Sequence, residues 1–308
     1  MMSEPSPPSA PRNLPRAEVP LVDAHHHLWD TSLYPYPRLT REQGAGPGAP
    51  QRYVIGDYLN DAKGWQLVKS VHVEAAIRVE HAVDETRWLQ ATADKHGFPH
   101  GIVAFAPLHD PDVKEILSAH AESSNMRGIR QMLDGDSHGE GARGLRPDYL
   151  HDAQWRKGYQ LLREFEFSFD LQVRPEQMSA GADLADEHPN TPLVLNHSGL
   201  PDVTNFDEFA HWRAGVRELA LRPNVFAKIS GFGMLDRQWT LNSIRPFVLE
   251  TIDAFGLERC MFASNFPIDK MNRSFDEIFG TFFAIVGNAR PDELRGLFHD
   301  NAVRVYRL

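Results

Sequence analysis

One cysteine, Cys260, is all the chain contains, which excludes an internal disulfide and agrees with a reducing cytoplasm as its expected compartment. No apolar run approaches the ~20 residues needed to cross a bilayer, so no membrane partner is expected. Basic residues are in deficit: 32 Lys and Arg face 42 Asp and Glu, a net charge of -10 with no basic cluster. Nucleic acid is therefore a poor partner. Residues 1–20 are rich in Pro and Ser and lack the apolar stretch of a secretory signal, and they read as a flexible tail. From residue 21 to 308 no linker, repeat or shift of composition divides the chain. That length suits one large barrel or two medium domains.

What the sequence does have is a polar signature at the end of a first strand. Val22-Asp23-Ala24-His25-His26-His27-Leu28-Trp29 begins as an apolar strand and ends in three histidines. Side chains alternate along a strand, so His25 and His27 are expected on one face, Ala24 and His26 on the other. After it come strand-like runs at 70–75, 101–106, 127–133, 167–173, 191–197, 224–230 and 259–265. Helical patterns at 84–96, 111–123, 154–165, from about 175, 207–221, 241–255 and 275–286 separate them. Counting the opening strand, these make eight βα units and predict a single (β/α)8 TIM barrel, whose chemistry sits at the C-terminal ends of its strands. Residues 29–56, with Tyr34, Tyr36 and a Gly-Pro-rich run, are too long for a simple connector and read as a loop laid over the site.

The same alternation predicts which side chains point inward. Val71 and Val73 are assigned outward and His72 and Glu74 inward. Phe167, Phe169 and Leu171 go out, with Ser168, Asp170 and Gln172 in; Ile129 goes out and Arg130 in. Val225, Ala227 and Ile229 go out, leaving Lys228 and Ser230 in. With His197 ending the sixth strand and Asn265 the eighth, ten polar groups surround one axis: His25, His27, His72, Glu74, Arg130, Asp170, Gln172, His197, Lys228 and Asn265. Each is costly to bury unless paired or hydrated. Pairing of Glu74 with Lys228 or Arg130 would explain two of them without function; structure alone does not explain the full set.

These residues also carry a family resemblance. Asp23-Ala24-His25-His26-His27-Leu28-Trp29, Leu195-Asn196-His197-Ser198-Gly199-Leu200-Pro201, residues 224–231, Met261-Phe262-Ala263-Ser264-Asn265-Phe266-Pro267 and Phe298-His299-Asp300-Asn301-Ala302 with Tyr306 occur in barrel order. From residue 21 to 308 the chain resembles the amidohydrolase superfamily, in its lactonase-containing branch with 2-pyrone-4,6-dicarboxylate lactonase and L-fuconolactonase. The resemblance implies a hydrolase. It also implies a metal pattern in which the His-x-His of strand one joins histidines after strands five and six and an aspartate after strand eight. His25, His27 and His197 match that pattern. Strand five offers Asp170 and Gln172 instead of histidine, and Asn265 stands where aspartate is customary. Asparagine cannot deprotonate water and is a poor zinc ligand.

The favoured expectation is hydrolysis of a small, anionic lactone or cyclic ester without a required cofactor. His25, His27, His197, Asn265 and Asp269 would be catalytic, with Asp269 or Asp170 as the base. Trp29, His72, Glu74, Arg130, Asp170 and Lys228 would bind substrate, the anionic character resting on Arg130 and Lys228. A second expectation is a zinc-dependent hydrolase or decarboxylase with a single Zn on His25, His27 and His197. A third is a barrel that binds a small molecule without turning it over. The only partner expected is the small-molecule substrate, and a homo-oligomer is compatible with the sequence.

Overall fold

Eight parallel strands, hydrogen-bonded in chain order, form the centre of the computed structural model, which describes residues 18–39, 50–134 and 148–308. They are β1 (Leu21–His26), β2 (Leu67–Val73), β3 (Gly101–Phe105), β4 (Met126–Arg130), β5 (Ser168–Leu171), β6 (Leu193–Leu195), β7 (Val225–Ile229) and β8 (Cys260–Phe262). The helices that follow them are α1 (Ile55–Asp61), α2 (Ala82–His96), α3 (Val113–Ala121), α4 (Ala153–Leu161), α5 (Met178–Glu187), α6 (Phe209–Ala220), α7 (Leu241–Phe255) and α8 (Phe275–Val286). The fold is a single (β/α)8 barrel, as the alternation predicts. Most of the tail expected at 1–20 lies outside the described residues, as does part of the long first connection (40–49). Among the described residues no helix is long and apolar enough to cross a membrane.

Local chemistry explains the element boundaries. Thr240 and Ser274 cap α7 and α8: the Thr240 hydroxyl accepts from the Ser243 amide at 3.2 Å and that of Ser274 from the Glu277 amide at 3.2 Å. Each strand stops one to three residues short of its expected end, because the terminal residues leave the ladder to present side chains. His197 and Asn265 do so with φ of 53° and 56°, a left-handed conformation that is strained for residues other than glycine and that clusters at functional sites.

The barrel closes between β8 and β1 through few contacts. The Asn265 amide donates to the His25 carbonyl (2.8 Å) and the His27 amide to that of Phe266 (2.7 Å). The buried Asp23 carboxylate accepts from the Ser264 amide (2.8 Å), the Ser264 hydroxyl (2.6 Å) and the Tyr58 hydroxyl (2.9 Å).

Two apolar clusters separate the faces of the sheet. The larger holds Ile129, Phe167, Phe169, Leu171, Val225, Ala227 and Ile229 against the helices, as expected of outward positions. The smaller holds Val22, Ala24, Val71, Val73, Val103, Val194, Met261 and Ala263 with Tyr306 of the C-terminal helix Asn301–Tyr306, and it fills the barrel interior. Two assignments are thereby corrected. Val71 and Val73 point in, and Ala24 does too. The cause of the second is a bulge: between Asp23 and His26, β1 runs three residues against two of β2. The extra residue turns His25 inward beside Ala24 and sends His26 out, where it stacks on Tyr58 at 4.0 Å and bonds the Ser70 hydroxyl.

Candidate active site

Three imidazoles meet at the C-terminal end of the barrel. His25 lies with its ring centroid 4.9 Å from that of His27 and 4.6 Å from that of His197. All three are buried, and burial is the first cause that pushes each toward the neutral form: His27 down to about 4, His25 and His197 well below the ordinary histidine value. Arg130 adds to the shift of all three and Lys228 to that of His25 and His197. Both nitrogens of His25 are buried without a hydrogen-bond partner among the described residues.

The orientation of His27 follows from its neighbours. Its Nδ1 lies 2.7 Å from the Val73 carbonyl, which only accepts, so Nδ1 carries the proton and Nε2 the lone pair. Nε2 lies 3.3 Å from Asn265 Oδ1, while Asn265 Nδ2 donates to Asp269 Oδ1 at 3.1 Å. With Asp269 ionised, that amide orientation suits the carboxylate and leaves the His27 lone pair facing an oxygen. Turned over, the amide donates to His27 and accepts from a protonated Asp269. The amide orientation therefore tracks the charge of Asp269. Burial pushes that carboxyl up to about 7, against opposing hydrogen bonds from Asn265 and the Gly233 amide.

His197 is held from the next strand. Its Nδ1 lies 2.9 Å from the Ser230 hydroxyl, and a Cβ at Gly231 would sit 2.5 Å from the same nitrogen. Gly231, at φ 75°, is thus required twice, by its conformation and by the imidazole packed on it. Neither Ser230 as an orienting group nor Gly231 stands out in the sequence; only the pairing of β6 with β7 brings them to His197.

The charged groups form two closed sets. Arg130 Nε donates to Glu74 Oε1 at 3.0 Å, its Nη2 to the Glu74 carbonyl at 2.5 Å and its Nη1 to Gln172 Oε1 at 2.9 Å. Deeper in the barrel, Asp170 accepts from Lys228 Nζ (2.6 Å), Asn196 Nδ2 (3.0 Å) and the Tyr306 hydroxyl (2.8 Å). The Asp170 and Lys228 side chains are both 0% exposed.

Several expected roles change. Asp170 is engaged by three donors and Lys228 is closed against it, so the hydrogen bonds of the pair are spent on each other and on Asn196 and Tyr306. His72 turns away from the pocket: it lies beside His26, with Nε2 3.3 Å from the Leu28 carbonyl. Trp29 is in the apolar core with its N–H donating to the Pro50 carbonyl at 2.8 Å, so it anchors the short ribbon of Trp29–Asp30 with Arg52–Tyr53 and has no free face for a substrate ring. Tyr36 is buried, and Tyr34 packs near Trp88 of α2. Glu74, Arg130, His25, His27, His197, Asn265 and Asp269 do gather as expected.

Three neutral imidazoles are suitable zinc ligands. Among the described residues, however, no three His, Cys, Asp or Glu side chains converge in a way that could hold a metal ion. Asn265 and Gln172 add no anionic or imidazole ligand to the three histidines, so with the side chains as they stand the donors do not converge on a zinc position.

A family model for amidohydrolases (Amidohydro_2) matches residues 22–308. The uncharacterized protein y4mH of Sinorhizobium fredii is 41% identical over 301 residues, covering 95% of this chain and 100% of that one. An L-fucono-1,5-lactonase of Burkholderia multivorans is 29% identical over 273 residues, covering 83% and 85%. Among solved structures, an amidohydrolase of Burkholderia multivorans with bound Zn superposes with a TM-score of 0.80 at 26% identity, covering 94% of this chain and 99% of that one.

Proposed function

The chain belongs to the amidohydrolase family, and on that footing we propose that it hydrolyses a lactone, with Asp269 as the base that activates water. The similarity to a fuconolactonase supports the reaction class. The observation that carries the proposed mechanism is the Asp269 carboxyl: buried, hydrogen-bonded by Asn265 beside the histidines, and poised near neutrality.

In this reading Asp269 takes a proton from water as the oxygen attacks the lactone carbonyl carbon. His197, with Nδ1 accepting from Ser230, presents Nε2–H to the oxyanion. The intermediate collapses, the ring C–O bond breaks, and the ring oxygen takes the proton back from Asp269. The product is the open hydroxy acid, and every proton is accounted for. Asn265, unable to act as base, holds Asp269 in place. No step is routed through a metal. The anionic substrate expected from Arg130 and Lys228 is not carried forward, because each cation faces its own buried carboxylate.

The test is a pH profile. Since Asp269 must be ionised, kcat/KM should rise from acid pH, reach half its maximum near pH 7 and stay level above; His27, already neutral above about pH 4, adds no limb there. A profile that stays level down to pH 5 would mean a different base. Activity should also survive exhaustive chelation, and loss that zinc restores would favour the metal-dependent mechanism instead.

Gly231→Ala gives a second check. The added methyl must displace the His197 ring, so kcat should fall by about tenfold to a hundredfold, the usual scale for misplacing a catalytic group. Circular dichroism should show a folded protein. Unchanged kcat would remove His197 from the mechanism.

A further inference from the structure

We infer that Glu74 makes this site selective for uncharged lactones, by holding Arg130 in a closed ion pair that a carboxylate-bearing substrate would have to break. The inference rests on the lactone-hydrolase reading and refines it.

Arg130 acts electrostatically on all three histidines, and in isolation its guanidinium would be a receptor for a substrate carboxylate. Glu74 occupies that role already. One carboxylate oxygen accepts from Arg130 Nε at 3.0 Å, and the Glu74 carbonyl accepts from Nη2. The other oxygen accepts from the Ala76 amide at 2.7 Å. Ala76 holds that amide in position with φ of 63°, an unfavourable conformation for alanine, so the local backbone is shaped around the Glu74 carboxylate. The Arg130 and Glu74 side chains are 4% and 0% exposed, which leaves little water to screen a second anion. A third donor, Nη1, is engaged by Gln172, whose Nε2 in turn donates to Asp134 Oδ1 at 3.1 Å.

The other buried cation is no more available, since Lys228 is closed against Asp170. Among the described buried residues of the site, the positive groups are thus matched by carboxylates, and Asp269 adds a negative charge when it is ionised. An incoming carboxylate would meet Glu74 and Asp269 with no unmatched cation to receive it. A hydroxylated, uncharged ring meets no such repulsion, and can use carboxylate and imidazole acceptors for its O–H groups. Specificity here would come from repulsion of the wrong substrate as much as from attraction of the right one.

The experiment uses a matched pair of lactones: an aldono-1,5-lactone ending in CH2OH and its counterpart ending in a carboxylate. The wild-type enzyme should favour the uncharged member by at least about a hundredfold in kcat/KM. Glu74→Gln should narrow that ratio at least tenfold, chiefly by lowering KM for the charged member. Because an unpaired buried guanidinium can itself unfold the barrel, the double variant Glu74→Gln/Arg130→Gln is made in parallel; it too should narrow the ratio, by removing the repulsion without freeing a cation. Binding of the corresponding lactam analogues, charged and uncharged, is measured by calorimetry on the same proteins. If no lactone is turned over but the uncharged lactam binds at least a hundredfold tighter, and the variants narrow that gap, the lactonase reading falls and this inference stands. Equal use or equal binding of the charged and uncharged members by the wild type overturns it, as does a ratio untouched in both variants, or no binding of the uncharged lactam.

Discussion

Asp269→Asn should lower kcat/KM on any lactone the enzyme accepts by about 10²–10⁴-fold, the scale of losing a general base, while leaving a protein that is folded and no less stable at pH 8. The two halves of that result have one cause. The Asp269 carboxyl is pushed from 3.8 to about 7 because burial disfavours its charged form. Between roughly pH 4 and pH 7 the unfolded chain has therefore released a proton that the folded chain keeps. The unfolded state binds fewer protons there, so this group makes stability fall as pH rises through that window. At pH 8 the folded enzyme carries the whole cost of an ionised buried carboxylate, on the order of a few kcal/mol. Asparagine has the same shape, does not ionise and removes that cost. The melting temperature of the variant relative to wild type should accordingly be higher at pH 8 than at pH 5. Asp23, pushed up to about 6, has the same sign but is present in both proteins and cancels. Full activity in the variant would exclude Asp269 as base. Lost activity with a stability difference that does not change with pH would mean that Asp269 is structural.

The contrast between what the sequence reveals and what it hides is instructive at particular residues. The βα rhythm gives the fold because strand and helix periods differ, and each unit repeats the difference. Inward positions on β4, β5 and β7 follow from strict alternation and place Arg130, Asp170 and Lys228 correctly. Alternation fails on β1, where the bulge between Asp23 and His26 turns Ala24 and His25 inward together, and on β2, where valines fill the interior. Nothing in a string of residues marks a bulge; it is a property of two strands paired out of step. Roles were less legible than positions. The sequence offers Glu74 as a partner for either Lys228 or Arg130; that Arg130 takes Glu74 while Lys228 takes Asp170, 58 residues away, only the fold shows. Trp29 reads as a substrate contact because the carbonyl that takes its N–H belongs to Pro50, across the first connection. The proximity of Asn265 and Asp269 was legible, four residues apart on one turn, but the environment that raises the pKa of Asp269 was not.

Breaking the Asp170–Lys228 pair should have the largest effect on stability. Both side chains are fully buried, and the pair is joined to the C-terminal helix, since the Tyr306 hydroxyl donates to Asp170 and Lys228 Nζ lies 4.9 Å above the Tyr306 ring. Burial pulls the Lys228 pKa down and Asp170 opposes that shift. Removing Asp170 leaves the ammonium, the Tyr306 hydroxyl and the Asn196 amide without their acceptor. Asp170→Leu should therefore cost about 3–5 kcal/mol, the range for an uncompensated buried charge. Lys228→Met should cost less, because Asp170 keeps two hydrogen bonds from Tyr306 and Asn196. In the double variant the two costs should not add: a coupling of about 1–3 kcal/mol is expected, because the first substitution already removes the charge pair. Equilibrium denaturation of the two single variants and the double measures it. If Lys228 instead bound substrate, Lys228→Met would leave stability unchanged and raise KM, and the double variant would be additive. A closed pair predicts the opposite on both counts, with lost stability and coupled costs.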